Sequence, residues 1–290
     1  MVAVLAVGCS SDSKPSSPYG ATAVNVGDPM TLLGWNITVS NLRWDADYVL
    51  FDVEAAPTDP SGPPKITPAD LRFGLYGNIA HPIEATGLGS CAGATTLAIR
   101  PLAVKPDKLT GTVCLGPLKE QTAARGVYVY SPKDRMAGTA AAYPVAFPVG
   151  LMPTKRSDTG LEITTTSVEA WRGDGQMVTQ ETLGDPNAFD GNGYMLLGVR
   201  VSAIAAQYRD DAAARGGPMM LAITPTMPSG QDLSKACAAY GSSVLLLPDA
   251  TLDAVRVDAS LCSQGEINDA LLYATLAAVG THAGVWIDRE

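Results

Sequence analysis

One pattern of residues occurs twice in this chain, in the same order and at similar spacing. Ile37-Thr-Val-Ser-Asn-Leu-Arg-Trp44 returns as Ile163-Thr-Thr-Thr-Ser-Val-Glu-Ala-Trp171 with one residue inserted, and Tyr48-Val-Leu-Phe-Asp-Val53 returns as Tyr194-Met-Leu-Leu-Gly-Val199. A proline then precedes a cysteine by nine residues in each copy, Pro82 before Cys91 and Pro228 before Cys237. A second cysteine follows, Cys114 after 23 residues and Cys262 after 25. Each copy then reaches a glycine and an aromatic strand, Gly126-Val-Tyr-Val-Tyr130 and Gly284-Val-Trp-Ile287. Five matches in one order predict an internal duplication, and with it two similar units rather than one large core.

Within each copy the local pattern is that of strands. Ile37, Val39 and Asn41 alternate with Thr38, Ser40 and Leu42, the habit of a half-buried pleated surface. Tyr48 to Val53 and Tyr194 to Val201 are more continuously apolar and read as central strands. The 29 glycines and 21 prolines among 290 residues leave little room for long helices and place turns between strands at regular spacing, which predicts a sandwich or barrel. One stretch departs from this. In Glu266 to Val279, Ile267, Ala270, Leu271, Ala274 and Ala278 recur at helical spacing, which predicts a short helix or helical turn near the C-terminus. The recurring Trp44 and Trp171 read as core anchors.

The expected organisation follows from these marks. Residues 1–9 are the remnant of a signal peptide, and residues 10–23 (SSDSKPSSPYGATA), too polar to bury a core, are a tether. The first domain covers 24–152 and includes an extra strand at Tyr143 to Leu151. Residues 153–158 are the linker, and the second domain covers 159–290, ending on its own aromatic strand.

The cysteine count is odd. Met1 to Gly8 is an apolar run ending in a small residue before Cys9 and two serines, the form of a signal peptide whose next residue carries lipid. Setting Cys9 aside leaves two cysteines per copy. Four cysteines allow three pairings, and the duplication selects Cys91–Cys114 and Cys237–Cys262. An oxidising compartment outside the membrane suits such bonds.

Leu5-Ala-Val-Gly-Cys9 resembles the lipobox of bacterial lipoproteins. Together with the tether and the duplicated Trp/Tyr/Cys pattern, it makes the chain similar to actinobacterial cell-envelope lipoproteins built from tandem immunoglobulin-like β-sandwich domains. The resemblance implies diacylglycerol on Cys9 and a place on the outer face of the cell membrane, lipid-anchored and exported. In immunoglobulin domains a Trp packs on the inter-sheet bridge. Here both cysteines follow the Trp, so the bridge lies elsewhere.

The net charge of −9 argues against nucleic acid, which needs clustered Lys and Arg. His81 and His282 fall at non-equivalent places and read as turn or surface residues. There is no HExxH, CxxC, GxSxG or phosphate loop, and Gly89-Ser-Cys-Ala-Gly93 has a cysteine where a nucleophile elbow has serine, while an elbow also needs a histidine and a strand-to-helix turn around it. The expectation is a non-enzymatic module with no cofactor. The copies differ most between Trp and Tyr: three residues separate Trp44 from Tyr48, and 22 separate Trp171 from Tyr194. Arg172, Asp174, Asp185, Asn187 and Asp190 in that insertion form the candidate binding loop. Its oxygen-bearing side chains suit calcium in type but lack EF-hand spacing, and Arg172-Gly-Asp174 is a tripeptide integrins read, short enough to recur by chance. Two functions follow from this reading. The first is a binding or structural module engaging an envelope protein or glycolipid. The alternative is a carrier of a lipid or glycolipid in a cavity lined by Ala270 to Val279.

Overall fold

The computed structural model describes residues 21–62, 64–77, 91, 100, 102–139, 141–144, 154–156, 159–172, 174–179, 192–204, 217–224, 244–247, 254–266 and 275–288. In chain order the strands are β1 (Thr22–Asn25), β2 (Pro29–Leu32), β3 (Trp35–Asp45), β4 (Tyr48–Pro57), β5 (Arg72–Gly77), β6 (Ala103–Lys105), β7 (Lys108–Leu115), β8 (Ala124–Tyr130), β9 (Ala141–Pro144), β10 (Thr154–Arg156), β11 (Leu161–Arg172), β12 (Asn192–Ile204), β13 (Met219–Thr224), β14 (Val244–Leu246), β15 (Ala254–Glu266), β16 (Thr275–Gly280) and β17 (Ala283–Ile287). Two 3-10 turns, Pro68–Asp70 and Gln121–Ala123, are the only helical segments among the described residues. The protein is mainly β, as its patterning predicts.

Among the described residues, four sheets stack as layers. The first is β2-β3-β4-β7-β6 and the second β1-β17-β8-β5; the third is β14-β13-β16-β9 and the fourth β10-β11-β12-β15. The first two share one core, with Trp35, Ile37, Val39, Phe51 and Val53 meeting Phe73, Leu75, Val127, Val129 and Trp286. The last two share another, with Ile163, Leu197, Val199 and Val201 meeting Tyr143, Met219, Leu221, Leu276 and Ala278. A third core lies between the second and third sheets, where Tyr76, Tyr128, Tyr130 and Val285 meet Met220, Ala222, Leu246 and Val279.

The two middle sheets are therefore apolar on both faces. Along β8, Val127 and Val129 enter one core while Tyr128 and Tyr130 enter the other. Along β16, Leu276 and Ala278 enter the second-half core while Ala277 and Val279 face the middle one. A strand buried on both faces reads as a continuous apolar run, which periodicity alone cannot tell from a buried helix. This accounts for the expected helix near the C-terminus, where Glu266 instead closes β15 and Thr275–Gly280 is a central strand. Residues 267–274 lie outside the described residues.

The pairings cross the expected domain boundary in both directions. β17, from the end of the chain, lies between β1 (parallel) and β8 (antiparallel), with Gly284 opposite Val129 and Val285 opposite Tyr128. The two aromatic strands expected to be equivalent are thus neighbours in one sheet. Conversely β9, expected as an extra strand of the first domain, pairs with β16, Tyr143 opposite Leu276. Each exchanged strand carries a fully buried aromatic residue into the other half's core. The Trp286 indole N–H donates to the Asp28 carbonyl at 2.9 Å, and the Tyr143 and Thr159 hydroxyls share a hydrogen bond. The expected linker 153–158 contains β10, which pairs with β11 as β2 pairs with β3.

Both β3 and β11 carry a bulge, between Ser40 and Arg43 and between Thr165 and Ser167. A bulge reverses which alternate residues face inward. In β3 it sits at Asn41 (φ +51°) and turns Leu42 and Trp44 toward the core that Ile37 and Val39 already face. With Tyr48 and Tyr194 aligned, Trp171 stands opposite Tyr194 while Trp44 stands opposite Val49, one residue out of step. Ala170 takes the inward place in β11, so the two tryptophans are not the equivalent core anchors their recurrence suggested.

Candidate functional site

The connections that carry the chain into and out of the exchange pack against one another. The first, residues 131–139, leaves β8. Ser131 is buried and opens a turn in which its carbonyl accepts from the Asp134 N–H. Lys133 reaches back 2.8 Å to Asp70, beside the Pro68–Asp70 turn. Further along, the Met136 N–H donates to the Gly280 carbonyl at 2.8 Å, and the Gly280 N–H donates to Thr139 Oγ1 at 2.9 Å. The second connection is only Thr281 and His282, between β16 and β17.

These restraints set Asp134 against His282. Asp134 Oδ2 accepts from the His282 backbone N–H at 2.6 Å, from the His282 ring at Nδ1 at 2.8 Å, and from the Thr281 hydroxyl at 3.2 Å. A carboxylate only accepts, so Nδ1 carries a proton, and in the neutral form of the ring Nε2 is an acceptor. The imidazole is 55% exposed. It stands on the wall of a half-open pocket of about 390 Å³ lined by Thr22, Thr31, Leu32, Leu33, Asp134, His282 and Ala283. The pocket thus lies where the first strand, the β2–β3 hairpin and both crossovers meet.

The hairpin contributes an unusual residue. Leu32 pairs with Trp35, so Leu33 and Gly34 alone form the turn, and both have positive φ, +54° and +85°. Such turns favour Asn-Gly or Gly at the first place, and a leucine there costs about 1–2 kcal/mol. Leu33 is half-buried against the first core and on the pocket wall. Gly284 lets the hairpin lie close, since a Cβ on it would meet the Met30 sulfur and sit 3.2 Å from Leu32.

Other charged groups are built into the scaffold. Asp52 on β4 accepts from Thr112 Oγ1 at 2.7 Å and Asn41 Nδ2 at 3.0 Å and pairs with Arg43 and Arg100 at 3.4 and 3.3 Å. Burial works to raise its pKa, but these hydrogen bonds and cations together hold it below the usual carboxylate value. The group clamps the β3 bulge. Asp70 is similar: burial opposes ionisation, and Lys133 and Thr67 outweigh it and keep the carboxyl below its ordinary value.

The sequence-predicted residues fall in several places. Cys91 and Cys114 form a disulfide with their Cα atoms 5.3 Å apart. Cys262, at the place on β15 that Cys114 occupies on β7, opposite Leu196 as Cys114 is opposite Leu50, is disulfide-bonded; its expected partner Cys237 lies outside the described residues. So do Cys9, His81, Asp185, Asn187 and Asp190. Arg172 and Asp174 are described. They pair with each other at 3.2 Å, and Asp174 Oδ1 accepts the Gln176 N–H at 3.1 Å. The loop then folds back on β11, with Val178 N–H donating to the Ala170 carbonyl at 2.8 Å and the Val178 side chain buried in the second-half core. The start of the candidate binding loop is therefore an edge of the sheet.

His282 was visible in the sequence as a turn residue. Asp134 was not visible, because the pair is 148 residues apart and neither residue sits in a local motif. No protein-family model matches the chain, and no match to a curated protein or a solved structure was found.

Proposed function

We propose that this chain is a lipid-anchored protein on the outer face of the cell membrane, a non-enzymatic binding module whose site is the pocket at the junction of its two halves. We propose further that the halves are immunoglobulin-like β-sandwich units related by duplication. Matching strand orders support the duplication, with β2-β3-β4-β7 beside β10-β11-β12-β15. So do bulges at corresponding places and cysteines at the same register position of β7 and β15. Lipid on Cys9, with residues 10–20 as tether, is read from the sequence; the last residues of the expected tether are instead folded, with Ala21 buried and Thr22–Asn25 forming β1 against β17.

The observation that carries the binding proposal is the pocket's position. Thr22 opens the first strand and lines the pocket, so the site lies beside the point where the proposed tether enters the folded body. The imidazole beside it is oriented by a carboxylate, and His282 has no Ser or Cys partner among the described residues, which suits recognition better than nucleophilic catalysis. The carrier alternative would use Ala270 to Val279 as a cavity wall. Leu276 to Val279 are instead packed among core side chains.

A photo-crosslinking residue at Thr31, on the pocket wall, tests the proposal in intact cells. The same residue at Ser260, an exposed position of β15 in the outermost sheet, is the comparison. An envelope component captured at Thr31 and not at Ser260 is the expected result. Equal capture at both, or capture at neither, removes the pocket as the site.

A further inference from the structure

The pocket's hydrogen-bonding groups are nearly all acceptors, and this bears on what it takes. Asp134 lines the pocket and commits Oδ2 to three donors, and its carboxylate can only accept further bonds. In its neutral form His282 adds Nε2 as an acceptor. Thr31 spends its proton on Asn36 Oδ1 at 2.8 Å, so its oxygen can only accept further bonds. Thr22 supplies one hydroxyl able to do either. Opposite these stand Leu32, Leu33 and Ala283. A ligand complementary to this wall must donate several hydrogen bonds on one side and present C–H groups on the other. The Asp134 charge disfavours phosphate and carboxylate. A volume of about 390 Å³ is at the small end for ligand pockets, about 300–1,000 Å³.

We infer that the pocket holds a neutral, hydroxyl-rich ring, a single sugar residue of a glycan. Its hydroxyls would donate to Asp134, His282 and Thr31, and its C–H face would lie on Leu32 and Leu33. This rests on the reading of the pocket as a binding site and adds the ligand class. The strained turn is the second observation that points here. Asn or Gly at position 33 would form the same hairpin without the cost of a left-handed leucine. What leucine adds is an apolar side chain that packs against the first core and also lines the pocket. Backbone strain kept for a side chain that lines a pocket is consistent with a ligand wall.

The experiment uses the full chain and a panel of methyl hexosides, with methylammonium and methyl phosphate as cationic and anionic probes, read by saturation-transfer NMR and calorimetric titration. The inference expects at least one hexoside to bind and methyl phosphate not to. Leu33→Asn should weaken that binding about tenfold or more, the weight of one lost interaction, while the melting temperature holds or rises because the turn relaxes. His282→Ala should weaken it similarly; the backbone bond to Asp134 does not need the ring. Binding of no hexoside, binding of methylammonium in their place, or hexoside binding that neither variant alters would overturn the inference. Capture at Thr31 without any hexoside binding would sink the sugar and leave the binding module standing. Failure of both experiments would remove the two together.

Discussion

Trp286 and Tyr143 play matching parts from different halves of the chain. Each is fully buried in a core built mainly by the other half, and each hydroxyl or indole finds a partner there. Removing a buried Trp side chain costs about 3–5 kcal/mol. Trp286→Ala should therefore lower stability by that amount in urea unfolding, although it lies in the last five-residue strand. Its effect should appear at Trp35 and the first core, not in the core that contains Ile163. The buried carboxylates set an acid limit. Asp52 and Asp70 have lowered pKa values in the folded protein, so their stabilisation is fully present above the unfolded value of about 3.9 and is lost as pH falls through the folded values. Stability should thus decline below about pH 4. Asp70→Asn, which leaves Lys133 unpaired, should cost roughly 1.5–3 kcal/mol at neutral pH and flatten the acid decline, as followed by thermal melts across pH.

At the scale of elements, the sequence was clear where one face of a strand is polar. β3 and β11 show their Thr and Ser face, and the residue inserted between Ile163 and Trp171 reflects the one-place shift of Trp171 relative to Trp44 in the register. The paired cysteines were legible for the same reason, since Cys114 and Cys262 recur in register. It was opaque where strands are buried on both faces. β16 shows no alternation because both its faces meet apolar cores, and its spacing imitates a helix. β17 and β8 look like repeats of each other because both supply aromatic and branched side chains to the same two cores. Their likeness reflects a shared environment. The insertion between Trp171 and Tyr194 divides likewise. Its described start is sheet edge, with Val178 in the core, whereas the sequence suggested one loop throughout. Replacing all of 172–193 should therefore cost stability. Replacing only 180–191 with a short Gly-Ser connection should leave the melting temperature nearly unchanged, because loop closure changes by only about 0.6 kcal/mol per doubling of length. A large fall in the melting temperature on the shorter replacement would make that segment structural.

For the whole molecule, the exchange of β9 and β17 ties three cores into one body. Among the described residues, the first half lacks a central strand of its inner sheet until β17 arrives, and the second lacks an edge strand and an aromatic plug without β9. Neither half is closed alone, so equilibrium unfolding should be a single transition, as for a single cooperative domain. The expected boundary between residues 152 and 159 was reasonable by sequence, because the repeat does end there. What the repeat could not state is which sheet each final strand joins; a strand carries its side-chain pattern but not the name of its partner. Hydrogen exchange on a chain ending at Thr281, compared with the full chain, tests this most directly. Protection is predicted to fall at the amides of β8 that donate to β17, while those that donate to β5 and those of Met219 to Ala222 and Leu276 to Val279, paired with each other, keep more of theirs. If β8 stays protected and the β13–β16 pair loses protection instead, the C-terminal strand belongs to the second half and the exchange is wrong.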